Sequence, residues 1–138
     1  MERMYKLLIV DDEPEICQVY GEHFRKRGFA VETAPDGVAG LEKLHQEQFD
    51  VALIDIQMPK MNGLELVRQI QAEDMDTSLV MLTGHGERDE AVMALNLGVA
   101  AWFDKKSIDM KALSQKAYDL AQVVPPELMR KWLSAISD

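Results

Sequence analysis

The strongest constraint on the fold is a fivefold alternation of short apolar runs with segments of helical period. Tyr5 to Val10 is a nearly continuous apolar run, the pattern of a strand covered on both faces. Pro14 stands where a first helical turn accepts it. Ile16, Val19, Tyr20 and Phe24 are expected to share one helical face, and Gly28 to end that helix. Phe29 to Thr33 reads as a second strand. Asp36 then caps a helix expected to carry Val38, Leu41 and Leu44 on one side.

The alternation continues through the second half. Val51 to Ile54 is a third strand, followed by a loop with Pro59 and Asn62-Gly63 and a helix with Leu66, Val67 and Ile70. Leu79 to Leu82 is a fourth, then Thr83-Gly84-His85-Gly86 as a flexible loop and a helix from Glu87 to Leu97, stopped by Gly98. Ala101 to Phe103 is a short fifth strand. Met110, Leu113, Ala117, Leu120 and Val124, spaced by threes and fours, mark a last amphipathic helix. Repeated strand–helix units imply an α/β fold, a parallel sheet with helices on both faces, because right-handed crossovers place them there. Pro125-Pro126 breaks the pattern, so residues 1–122 read as one domain and 123–138 as a C-terminal extension. Within the extension, Leu128, Trp132 and Ile136 fit a short helix over Glu127 to Ile136.

Composition narrows the function. With 24 acids against 15 bases the net charge is −9, which argues against a nucleic-acid surface built from clustered Lys and Arg. The single cysteine, Cys17, excludes an intrachain disulfide, and its place in a helix favours a small apolar filler over a reactive thiol. The N-terminus lacks the long apolar core of a secretory signal, and no stretch approaches the about 20 apolar residues of a membrane span. A cytoplasmic protein is expected.

In an open parallel sheet, ligands gather beyond the carboxyl ends of the strands. Those ends carry Asp11 and Asp12 (first strand), Asp55 (third), Thr83 (fourth) and Lys105 (fifth). Any one of them has an ordinary explanation: a strand-end acid often caps a helix, and a lone Lys is usually solvated. Their convergence from four strands is harder to dismiss. Three neighbouring carboxylates repel one another unless a cation joins them, and Mg²⁺ suits a site of hard oxygen ligands. A carboxylate can act as a nucleophile and form an acyl phosphate. The charge of a transferred phosphoryl group would then be met by the metal, the Lys105 ammonium and the Thr83 hydroxyl.

These residues stand in segments that resemble the receiver domains of two-component response regulators. LLIVDDEP is similar to that family's first strand and acid pair, LIDIQMPKMNG to its phosphoacceptor strand and loop, MLTGHG to its fourth strand and GVAAWFDKK to its fifth. The resemblance covers roughly residues 4 to 122. It implies a doubly wound, flavodoxin-like five-stranded sheet of order 2-1-3-4-5. It further implies Asp55 as phosphoacceptor. Mg²⁺ would be held by Asp12 and Asp55, by Asp11 largely through water, and by the backbone carbonyl of Gln57. Lys105 would pair with the phosphoryl group, Thr83 would move to hydrogen-bond it, and Trp102 would stand at the switch-aromatic position. Gln57 and His85 would tune dephosphorylation. The donor would be a sensor histidine kinase or a phosphotransfer protein. Such a domain is a signalling module rather than a metabolic enzyme, although it catalyses its own phosphorylation and dephosphorylation. Its helix 4–strand 5–helix 5 surface would signal to an output protein or domain.

Two departures from the family pattern carry structural expectations. Lys106 follows Lys105 where the family usually has Pro, so either the Lys105–Lys106 peptide is strained or the loop carries Lys105 differently. Trp102 is bulkier than the usual Tyr or Phe, which limits an inward swing. Met58 and Met61, beside the acceptor loop, are expected to pack into the core. The tail PPELMRKWLSAISD is open to three readings: an extension of the output surface, a homodimer contact, or the start of a linker. An aspartyl phosphohydrolase would need a second acid two residues after its nucleophile, where Gln57 stands. A flavin carrier would need a Ser/Thr-rich loop in place of Asp11-Asp12-Glu13.

Overall fold

The apolar runs pair into one parallel sheet of order β2-β1-β3-β4-β5, made of β1 (Lys6–Val10), β2 (Ala30–Ala34), β3 (Val51–Asp55), β4 (Ser78–Thr83) and β5 (Ala101–Asp104). Five helices connect and cover them: α1 (Pro14–Arg25), α2 (Gly37–Gln46), α3 (Gly63–Ala72), α4 (Arg88–Asn96) and α5 (Met110–Ala121). The computed structural model describes residues 4–84, 88–122 and 133–136, with the backbone only for 88–91. Of the short helix expected in the tail, residues 133–136 are helical; Leu128 and Trp132 lie outside the described residues, as do His85 and Val124.

Both faces of the sheet are buried, which is why the strands read as unbroken apolar runs. Leu8, Val10, Ala52, Ile54 and Met81 face Leu44, Leu66, Val67, Ile70 and Ala94 on one side. On the other, Leu7, Ile9, Leu53, Val80 and Leu82 face Tyr20, Phe24, Leu113 and Ala117. The period of two along each strand separates the two layers.

Helix ends follow local chemistry. Pro14 occupies the first turn of α1, and Gly28 adopts a left-handed φ of +92° as the chain turns into β2. Asp36 caps α2 by accepting from the Ala39 amide at 2.8 Å, and Asn62 caps α3 by accepting from Glu65 at 2.9 Å.

Two expected core residues are corrected. Val19 is exposed, because it sits about 100° round α1 from the buried Tyr20. Val38 is also exposed: the residues that α2 turns inward at its start are Gly37 and Gly40. A Cβ on Gly37 would lie 2.5 Å from the Met61 carbonyl oxygen, and one on Gly40 would lie 3.0 Å from Val10. Close packing of backbone there displaces Val38 to the outside.

Candidate functional site

The strand order reverses between β1 and β3, so a crevice opens where their carboxyl ends diverge to α1 and α3. Val10 pairs with Ile54, which sets Asp11 level with Asp55 one step further on. Asp55 and Thr83 are the last residues of β3 and β4, one residue further than the apolar runs suggest. Thr83 pairs with Asp104, and the Lys105 amide continues the ladder by donating to the Thr83 carbonyl at 2.8 Å. Register alone brings the ends of four strands to one level.

Side chains complete the cluster. Asp11, Asp55 and Thr83 are buried, whereas Asp12 is exposed at the rim. One carboxylate oxygen from each of Asp11, Asp12 and Asp55 lies within 4.8 Å of the others. The Lys105 side chain, only 8% exposed, places its ammonium 2.6 Å from Asp11 Oδ2 and 3.3 Å from Asp55 Oδ2. Asp11 Oδ1 accepts from the Glu13 amide at 2.9 Å.

Burial and mutual repulsion set the proton affinities. Desolvation, reinforced by the charge of Asp11 and opposed by Lys105, pushes the Asp55 carboxyl up to about 7. Asp11 is raised as well, chiefly by desolvation, with the Lys105 hydrogen bond pulling the other way. For Lys105 desolvation favours the neutral amine, but the hydrogen bond and charge of Asp11, with the charges of Asp55 and Glu13, outweigh it and hold the ammonium above its ordinary range. One cation among these acids leaves the cluster short of positive charge.

The loop between β3 and α3 is pressed onto the end of β3. The Gly63 amide donates to the Ile56 carbonyl at 2.8 Å, and a Cβ at Gly63 would fall 2.2 Å from the Asp55 carbonyl oxygen, so no larger residue fits. Lys60 takes a left-handed φ of 67° and pairs with Asp36 at 3.6 Å. Met58 and Met61 pack against the core, as expected, and leave Gln57 on the exposed side of the loop, two residues after Asp55. Cys17 is half-buried among the apolar residues under α1, and its thiol donates to the Asp11 carbonyl at 3.4 Å. That is a filler's environment, and burial pushes the thiol's pKa up.

The donor set fits a hard divalent cation. Among the described residues, the buried Thr83 Oγ1 at the end of β4 has no hydrogen-bond partner, while the buried Asp11 Oδ2 is engaged by the Lys105 ammonium. Buried polar atoms are rarely left unmatched unless a ligand completes them.

The strand-end residues singled out in the sequence, Asp11, Asp12, Asp55, Thr83 and Lys105, stand at one end of the sheet, whereas Trp102 lies within β5 and is exposed. One participant was not anticipated. Glu13 places its carboxylate 3.4 Å from Lys105, although as the residue preceding α1 it would be expected to cap that helix, which its side chain does not do. The Lys105–Lys106 alternative is also resolved. Among the described residues no peptide is cis, so the Lys105–Lys106 peptide is trans, and the Lys106 amide donates to Asp104 Oδ1 at 2.9 Å.

Comparison with known proteins gives the same picture. The model of the response regulator receiver domain matches residues 7–118. The transcriptional regulatory protein GlrR of Escherichia coli is 34% identical over 130 residues, covering 94% of this chain and 29% of that protein. This chain therefore spans less than a third of that relative's length. A CheY-like response regulator receiver domain protein from Methanospirillum hungatei superposes with a TM-score of 0.80 at 29% identity, covering 86% of this chain and 94% of that one. The response regulator TrrA from Thermotoga maritima, solved with Mg²⁺ and BeF, gives 0.76 at 27% identity over 85% of this chain and 99% of that one. With the sheet order, the crevice and the matched span in agreement, the chain belongs to the response regulator receiver domains of two-component signalling.

Proposed function

We propose that this domain accepts a phosphoryl group on the carboxylate of Asp55, with Mg²⁺ held by Asp11, Asp12, Asp55 and the backbone carbonyl of Gln57. The observation that carries the reading is the Lys105 ammonium held between Asp11 and Asp55, beside three carboxylates that share one small volume. A bound Mg²⁺ supplies charge neutralisation for the acids and for the incoming phosphoryl oxygens. The remaining work falls to the chain. Asp55 presents a carboxylate oxygen to phosphorus; a P–O bond forms as the bond to the phosphohistidine nitrogen of a sensor kinase or phosphotransfer protein breaks. Lys105 offsets the charge that arrives, and the unmatched Thr83 hydroxyl is the donor available to a phosphoryl oxygen.

Signal leaves by the strands that hold those two residues. The Lys105 amide is bonded to the Thr83 carbonyl, so a shift of Thr83 is passed to the β5–α5 loop. The response surface is α4–β5–α5, where Val92, Met93, Leu95, Trp102 and Tyr118 are exposed. Trp102, exposed on that surface, takes the switch-aromatic position, where its bulk limits an inward swing. Gln57 and His85 tune water attack on the phosphoryl group. Residues 1–122 form the receiver and 123–138 an extension toward an output domain or partner, which is a homodimer contact in the second reading of that segment. No described helix is long and apolar enough to cross a membrane, in keeping with a cytoplasmic signalling role.

The test is intact-mass measurement after exposure to acetyl phosphate. The expected gain is one phosphoryl group in the native chain with Mg²⁺, none after chelation, and none in Asp55→Asn. A gain that persists in Asp55→Asn would overturn the proposal.

A further inference from the structure

The residue that aims Lys105 is one to which no role has so far been given. Asp104 ends β5 opposite Thr83, and the next side chain, that of Lys105, places its ammonium beside Asp11 and Asp55. Three hydrogen bonds shape the chain there. The Lys105 amide donates to the Thr83 carbonyl at 2.8 Å, and the Ser107 amide donates to the Asp104 carbonyl at 3.2 Å, closing a four-residue turn. The third is the Asp104 carboxylate, whose Oδ1 accepts from the Lys106 amide at 2.9 Å. An Asp side chain that bonds the amide two residues on mimics a backbone turn and fixes its direction. The Lys106 side chain points to solvent, whereas that of Lys105 is almost wholly enclosed, so the turn separates two adjacent lysines into different environments.

We infer that Asp104 is a positioning residue for Lys105: its carboxylate holds the Lys106 amide and so sets the turn that directs the Lys105 ammonium onto Asp11 and Asp55. This rests on the proposed role of Lys105 toward the phosphoryl group. The device requires an N–H at position 106, which proline does not have. In this chain a proline after Lys105 therefore removes a hydrogen bond instead of supplying order.

Four variants of the full chain test the assignment: Asp104→Ala, Asp104→Asn, Lys106→Pro and Lys106→Ala. Beryllofluoride affinity in saturating Mg²⁺ is the first readout, and the rate of phosphorylation by acetyl phosphate is the second. Asp104→Ala and Lys106→Pro are expected to lose about tenfold in both, as misplacement of a charged group by a fraction of an ångström does. Asp104→Asn keeps an acceptor and Lys106→Ala keeps the amide, so both are expected to stay within about twofold of native. A purely structural role would lower the melting temperature without separating these pairs. The inference is overturned if Lys106→Pro equals or exceeds the native chain, or if Asp104→Asn is as weak as Asp104→Ala. A native chain that binds no beryllofluoride would instead defeat the phosphoacceptor reading. In that case hydrogen exchange at the Lys106 amide decides the turn, and exchange as fast in the native chain as in Asp104→Ala would overturn it.

Discussion

Helices α3 and α4 are nearly equal in length, and each follows a strand that ends in a residue of the site, yet they are held very differently. α3 buries Leu64, Leu66, Val67 and Ile70, and the Asn62 side chain caps its first turn. Among the described side chains of α4, Ala94 is buried, while Val92, Met93 and Leu95 are 47%, 44% and 45% exposed. The far end of α4 is tied to α3 by the Gln71 side chain, which donates to the Leu97 carbonyl. Asp55 is thus mounted on the firmly packed side and Thr83 on the lightly packed one. Local stability in proteins varies in this way, and moving elements come from the weakly packed end of the range.

The comparison is broken most directly by truncation. Ile70→Ala removes a fully buried side chain and is expected to cost about 2–5 kcal/mol. Leu95→Ala removes an exposed one and is expected to change stability by less than about 0.5 kcal/mol. Urea denaturation measures both. Similar losses would mean that α4 is packed as tightly as α3, and the contrast would fail.

A second effect belongs to the Asp55 side. The Asp55 carboxyl titrates near 7 in the fold against 3.8 ordinarily, because burial and Asp11 disfavour its charge. Between those values the folded state binds the proton that the unfolded state has released. Stability from this group is full below about pH 4, falls as pH rises, and is lost by about pH 7. Asp55→Asn is therefore expected to stabilise the metal-free protein by roughly 1–3 kcal/mol at pH 8 and to do little at pH 4. If Mg²⁺ binds as proposed, it would favour the ionised carboxylate and offset the penalty, so its effect on the melting temperature should grow from pH 5.5 to 8. A pH-independent difference between native and Asp55→Asn would remove Asp55 from this account.

The same contrast explains what could be read in advance. Strands buried on both faces leave continuous apolar runs, so β1, β3 and β4 were legible, and with them the polar residues that close each run. Boundaries slipped at Asp55 and Thr83 because a polar side chain ends the apolar run but its backbone still pairs. Val38 was misplaced because apolar periodicity does not register glycine, and at the start of α2 the glycines do the packing. The acids, Thr83 and Lys105 were legible from chemistry at strand ends. Glu13 and Asp104 were not, since one has an ordinary helix-start position and the other a local hydrogen bond that leaves no periodic trace.

The smallest effect expected is in chemical shift, and it sharpens the comparison most. Beryllofluoride with Mg²⁺ provides phosphoryl-like oxygens without covalent chemistry. If Thr83 and Lys105 respond to them, amides from 83 to 110 should shift, because the Lys105–Thr83 bond links β4 to the β5–α5 loop. Amides of α3 beyond its first turn should stay close to their original positions, since Leu66, Val67 and Ile70 are locked in the core. Leu95→Gln, on the exposed face, should keep the same pattern, which separates movement of α4 from the contacts its surface makes. Shifts spread evenly over α3 and α4, or confined to residues 55–63, would mean that the loosely packed half does not carry the response.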